Sequence, residues 1–160
     1  MKVDIFIADY LDNQQAEDIG LLLNAYAEDP MGQGSALNEG IKENLAPKLS
    51  KVPNAFSVIC YVDGKPAGLT NCFQGFSTFK CKPLINIHDL VVLAEFRGLK
   101  ISQLMLAKVE EEAINRDCCK VTLEVLEGNK IAQNAYLKFG YEGYELDPKM
   151  GKALFWEKPL

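Results

Sequence analysis

The chain has 160 residues, 48% of them apolar and 24% charged, which suits one globular domain with a buried core. Its 17 Lys and Arg against 22 Asp and Glu leave a net charge of −5 without a basic patch, so nucleic acid is not an expected partner. No run approaches the roughly 20 apolar residues needed to span a bilayer. The opening MKVDIFIADYLD also carries charge within a short apolar run, unlike a signal peptide, so the expected setting is cytoplasmic and away from membranes.

Lys2 to Tyr10 alternates Val3, Ile5 and Ile7 against Asp4, Phe6 and Ala8, the period of a first strand. Asp12 or Asn13 then caps a helix whose apolar stripe includes Ile19, Leu22, Leu23 and Tyr26. A glycine-bearing loop, Asp29 to Ser35, leads into a second helix from about Leu37 to Leu49, its end disturbed by Pro47. Phe56 to Val62 and Pro66 to Phe73 read as strands joined by the hairpin signal Asp63-Gly64, and Gly75 to Lys80 either continues the second strand or forms a bulged loop. Further strands are expected at 120–125, 141–146 and 153–157, with a helix at 130–139 between the first two.

Leu84 to Leu93 is apolar and β-branched, interrupted only by Asn86, His88 and Asp89, as in a strand covered on both faces. It runs through a tight turn into a helix that carries Ile101, Leu104, Met105 and Val109 on one stripe. A helix start fed directly by a strand leaves unpaired backbone N–H groups in front of a positive dipole end, which makes an anion site. The order β-α-α-β-β-β-α-β-α-β-β predicts one α/β domain over residues 1–160. It has a mixed, mostly antiparallel seven-stranded sheet with helices on both faces. The five cysteines, Cys60, Cys72, Cys81, Cys118 and Cys119, show neither C-x-x-C nor metal-ligand spacing, so free thiols and no metal are expected.

Arg97-Gly98-Leu99-Lys100-Ile101-Ser102 after an apolar strand resembles the pyrophosphate loop of the Gcn5-related N-acetyltransferases, Q/R-x-x-G-x-G/A. Asn129-x-x-Ala132-x-x-x-Tyr136-x-x-Phe139-Gly140-Tyr141 resembles that family's second motif, and the strand KVTLEV lies between the two. The loop departs from the family in carrying Lys100 where a glycine is usual and Ser102 at its last position. The resemblance implies that the strands at 84–93 and 120–125 splay apart, with the pantetheine arm of acetyl-CoA in the gap. It places Leu90, Val91 and Val92 along that arm, and Arg97, Gly98, Leu99, Lys100, Ile101 and Ser102 at the diphosphate. Asn129 would bond the pantetheine, and Tyr136 would be the acid that protonates the departing thiolate. The partners it implies are acetyl-CoA and a small amine acceptor, with dimers frequent among similar proteins.

For the base, His88 is the only histidine and a neutral imidazole suits deprotonation of an ammonium, while a hydrogen-bonded structural histidine is the plainer reading. Asp89 points to the opposite face if the strand is regular, as a base, an anchor for the acceptor or a carboxylate capping backbone N–H groups. Tyr136 also reads as a core tyrosine, and Asn129 as a plain helix N-cap. Glu28, Asp29, Met31, Gln33, Phe73, Phe76, Phe79 and Glu124 are candidates for an acceptor cleft, each reading more plainly as a loop, edge or core residue. A non-catalytic acyl-CoA sensor and a purely structural domain are the alternatives.

Overall fold

The computed structural model describes residues 1–145 and 147–160. Among the described residues five strands form one sheet: β1 (Val3–Ile7), β2 (Phe56–Val62), β3 (Lys65–Ser77), β4 (Lys82–Val92) and β5 (Val121–Leu123), side by side in that order. The first three pairings are antiparallel and β4 to β5 is parallel, so the sheet is mixed as expected. Four helices cover it: α1 (Asn13–Glu28), α2 (Ile41–Leu49), α3 (Ile101–Asn115) and α4 (Lys130–Phe139).

Strand alternation divides the core into two layers. Phe56, Val58, Cys60 and Val62 of β2 meet Ile101, Met105, Leu106, Val109 and Ala113 of α3, with Tyr136 and Phe139 of α4 at the margin. On the other side Ile59, Leu69 and Val91 meet Ile19 and Leu22 of α1 and Ala46 of α2. Leu104, expected on the buried stripe of α3, is 45% exposed, and Leu106 is buried instead.

Local signals set most boundaries. Asp12 caps α1 by accepting from the Gln15 N–H at 2.9 Å. Asp63 and Gly64 both have positive φ (48° and 77°), the backbone of a two-residue primed turn. The stretch from Gly75 continues β3 as far as Ser77, because each residue finds a partner on β4. The second helix begins at Ile41 rather than Leu37, since Gly40 at φ 82° marks its start and the Leu37 N–H is taken by Asn24 Oδ1.

The expected seven-stranded sheet is corrected to five. Residues 141–145 and 153–157 carry no strand, and Leu146, the end of the first of these predicted strands, lies outside the described residues. Both segments have strand composition, but neither finds a ladder partner among the described residues.

Burial is the first cause that raises the phenol pKa of Tyr10, Tyr26, Tyr61, Tyr136 and Tyr141 above 10.0, and it pushes the Cys60 thiol up to about 11. With a raised folded pKa, the unfolded chain ionises first; stability is therefore full below the unfolded pKa and is lost as pH rises through the folded one. The urea midpoint should be flat up to about pH 8 and fall steeply by about pH 11; an unchanged midpoint there would contradict the packing of these phenols.

Candidate active site between strands four and five

The gap begins where a ladder stops. β4 and β5 pair only at Ile85–Val121, Asn86–Thr122 and Ile87–Leu123, backed by an Asn86 Nδ2 to Thr122 Oγ1 bond of 3.0 Å. From Asp89 onward β4 stays paired with β3 on one side, while among the described residues no strand lies beside its other edge. A cleft of about 1090 Å³ opens there. One wall is Ile87 to Glu95 of β4 and the turn after it, and the second is Leu123 to Leu126 with Asn129, Ala132 and Tyr136. The third is the end of α1 and its loop, including Tyr26, Glu28, Asp29, Met31 and Gln33.

A bulge re-aims the strand at the mouth of the gap. Asn71 lies opposite Asp89 and Cys72 opposite Ile87, so His88 is an extra residue without a partner. The strand is therefore not regular, so the condition under which Asp89 would point to the opposite face is not met, and His88 Nδ1 lies 3.3 Å from Asp89 Oδ1. The other Asp89 oxygen accepts from Asn71 Nδ2 at 2.9 Å; Asn71 Oδ1 accepts from Ser57 Oγ at 2.6 Å; and Ser57 Oγ meets Tyr10 Oη at 2.8 Å. Asn71 and Ser57 are buried, so Asp89 is held by a relay anchored in the sheet. The imidazole stands edge-on to Phe73, ring centres 5.6 Å apart, and its side chain is 66% exposed.

At the far end of the cleft the chain turns into α3. Gly98 (φ 84°) and Lys100 (φ 61°) both sit in the left-handed region, with Lys100 as the N-cap and no side-chain cap bond. The first helical bond is Leu104 N–H to Lys100 O, so the N–H groups of Gly98 through Gln103 have no acceptor among the described residues. Lysine thus adopts the glycine-like backbone that the loop requires, at a steric cost of about 1–2 kcal/mol. Ser102 reaches the cleft wall, but Ile101 is buried against the sheet, so only its backbone N–H is available to an anion. The Arg97 side chain turns away from the loop, donating to Val92 O at 3.2 Å and to Asp29 Oδ2 at 3.2 Å across the cleft.

Asn129 caps α4 by accepting from Ala132 N–H at 3.2 Å, as the N-cap reading expects, and also lines the cleft. Tyr136 packs edge-on against Tyr141, ring centres 6.0 Å apart, and forms part of the cleft wall. Burial holds the Tyr136 phenol above its usual pKa, with a smaller contribution from Tyr26. Glu28, Asp29, Met31, Gln33 and Glu124 all line the cleft. Phe76 and Phe79 do not: they sit toward the far hairpin, 59% and 87% exposed.

Tyr26 is the residue that sequence reasoning assigned only to a core stripe. It lines the cleft, and burial first, then the charges of Asp89 and Asp29, raise its phenol pKa. Its position three residues before Asp29, one helical turn from an acidic loop, was the available signal. Among the described residues no three His, Cys, Asp or Glu side chains gather as a metal site, and no helix is long and apolar enough to cross a membrane.

A mixed sheet whose ladder opens beside a helix start of free N–H groups makes an α/β fold with a cleft suited to an anionic ligand. Residues 21–141 match the Acetyltransferase (GNAT) family, and the chain belongs to it. It is 35% identical over 68 residues to a thialysine N-epsilon-acetyltransferase of Bos taurus, covering 42% of this chain and 39% of that protein. It is 33% identical over 89 residues to an uncharacterized N-acetyltransferase of Methanocaldococcus jannaschii, covering 55% of this chain and 39% of that one. The chain thus spans about two fifths of the length of these relatives. An aminoglycoside acetyltransferase from an uncultured soil metagenomic sample, solved with sisomicin, superposes with a TM-score of 0.79 over 99% of this chain and 96% of its own, at 15% identity. A ribosomal-protein-alanine N-acetyltransferase from Brucella melitensis superposes with a TM-score of 0.68 over 91% and 99%, at 17% identity. At these identities the superpositions establish a shared fold.

Lys100→Gly should stabilise the chain by about 1 kcal/mol, since glycine takes a positive φ without strain; denaturant midpoints of the two proteins measure it.

Proposed function

We propose that this chain, acting as one domain over residues 1–160, transfers an acetyl group from acetyl-CoA to a primary amine of a small molecule or peptide by direct attack. The observation that carries the reading is the end of the β4–β5 ladder at Ile87, beside a helix start of unclaimed N–H groups. The residues present fit the donor. The N–H groups of Gly98 to Gln103, with the positive end of α3 behind them, suit a diphosphate. The free edge of β4 along Leu90, Val91 and Val92 suits the amides of a pantetheine arm, as an added strand would pair. Asn129 stands on the opposite wall. The bound donor supplies a thioester whose carbonyl carbon is open to an amine.

The chain's own residues supply proton handling. Asp89, fixed by Asn71, accepts from His88 Nδ1–H, which leaves the Nε2 lone pair free to take a proton from an acceptor ammonium. Tyr136, kept protonated by burial, serves as the proton donor to the leaving sulfur. Carboxylates of Glu28, Asp29 and Asp89 on the acceptor side favour a cationic amine.

An acceptor screen that follows thiol release from acetyl-CoA tests the reading. Release with at least one amine is expected, whereas calorimetric binding without release for any amine would favour a sensor. In the active pair, Tyr136→Phe should lower kcat about 100-fold with acetyl-CoA affinity unchanged, and full turnover would remove Tyr136 from the acid's role. His88→Gln and Asp89→Asn should each lower kcat/KM about 10-fold or more, and equal loss in the double variant would mark them as one unit.

A further inference from the structure

Arg97 spans the cleft and engages a group on each wall. Its Nε donates to Val92 O at 3.2 Å and its Nη2 donates to Asp29 Oδ2 at 3.2 Å. Bonds alternate along an antiparallel pair, and Leu93 N–H is the group that reaches β3, at Ala67 O. Val92 therefore turns its C=O away from β3, onto the free edge of β4. The guanidinium thus occupies the last acceptor of that edge and one oxygen of the opposite wall at once.

Asp29 is held still for this contact. Its Oδ1 accepts from Met31 N–H at 2.9 Å, and its C=O accepts from Gly32 N–H at 2.8 Å and from Gly34 N–H at 3.2 Å. The other carboxylate oxygen, Oδ2, has Arg97 as its partner. Charge decides which way this pair gives. Among the described residues lining the cleft Arg97 is the only Lys or Arg, against Glu28, Asp29, Asp89, Glu95 and Glu124. It also stands directly before the free N–H groups of Gly98 to Gln103. A diphosphate held there offers the guanidinium a bidentate partner of higher charge than one carboxylate. A pantetheine amide on the β4 edge competes for Val92 O at the same time.

We propose that Arg97 is a latch and Asp29 a specificity-determining residue. The free chain keeps Asp29 masked; the bound donor draws Arg97 off it and leaves Oδ2 to bind a second cationic group on the acceptor. The inference rests on the reading that acetyl-CoA and an amine share this cleft. Asp89, engaged by Asn71 and His88, serves the reacting amine, so Asp29 is left for a separate charge. Once the guanidinium has moved to phosphate, the lining carboxylates lack a counter-charge, and a second ammonium supplies it. The acceptor class is therefore a diamine or a longer oligoamine rather than a monoamine.

Calorimetry and crystals with CoA, which binds without reacting, test this. In the CoA complex Arg97 should bond a phosphate oxygen; an Arg97–Asp29 pair still closed there overturns the latch. Asp29→Asn keeps an acceptor for Met31 N–H and should tighten CoA about 3-fold. Glu28→Gln, which removes a lining carboxylate that Arg97 does not hold, should do less, and an equal effect would reduce the latch to bulk charge. With CoA present, diaminobutane should bind about 10-fold more tightly than butylamine, and Asp29→Asn should abolish most of that preference. An undiminished preference, or no diamine binding, overturns selection by Asp29. Arg97→Gln leaves the bonds of the Asp29 loop in place and opens the latch from the other side. Diaminobutane should then bind without CoA about as tightly as it binds the parent chain with CoA, and a continued need for CoA counts against the latch. Absence of CoA binding to the parent chain would instead overturn the proposed function, and the latch with it.

Discussion

Three residue pairs hold β4 to β5, and everything proposed for the site depends on the ladder ending there. Backbone N–H and C=O groups released from a sheet must bond to water or to a ligand, so an open edge inside a cleft is a row of aligned donors and acceptors. β4 survives one-sided pairing because its side chains stay packed: Leu90 and Val92 rest on the α3 layer and Val91 on the α1 layer. The bulge at His88 then sets two polar residues next to each other at the mouth of the gap. One irregular position thus joins the place where a donor fits to the place where protons are handled.

The walls are braced by polar contacts of small individual strength. Gln103 Nε2 donates to Ala135 O at 3.1 Å, joining α3 to α4, and Arg97 bridges the α3 approach to Asp29 beyond α1. The Arg97 side chain is 60% exposed, so this pair contributes at most about 1 kcal/mol. Its effect is positional: the loop of Asp29 and the loop before α3 share a contact, and a charged ligand at either end competes for it. Buried apolar packing carries the stability, with Ile59, Leu69, Ile101, Met105 and Val109 essentially fully buried between the layers.

Much of this was legible in the chain. Asp63-Gly64 announced a hairpin, Asp12 a helix start, and the run from Leu84 to Leu93 a strand feeding a helix. The two spaced motifs carry the family resemblance in the sequence itself. Local composition is not enough without a partner: residues 141–145 and 153–157 carry aromatic, strand-favouring side chains, yet a strand exists only where another edge accepts it. The His88–Asp89 geometry was hidden for a related reason. A bulge is a property of two strands in register, and neither strand alone announces it. Tyr26 went unnoticed because helical periodicity cannot distinguish a residue facing a core from one facing a cleft cut into that core.

By itself the order of residues determined the elements that depend on near neighbours: caps, turns, helical stripes, the strand-to-helix loop and the motif spacing that reveals the family. Tertiary structure alone decided which strands pair and for how long, where β4 bulges, that Lys100 takes a left-handed backbone, and that Arg97 faces Asp29 rather than the loop. The physical reason is range. Caps, turns and stripes are satisfied within a few residues, whereas ladders, bulges and clefts are satisfied only by groups distant in the chain.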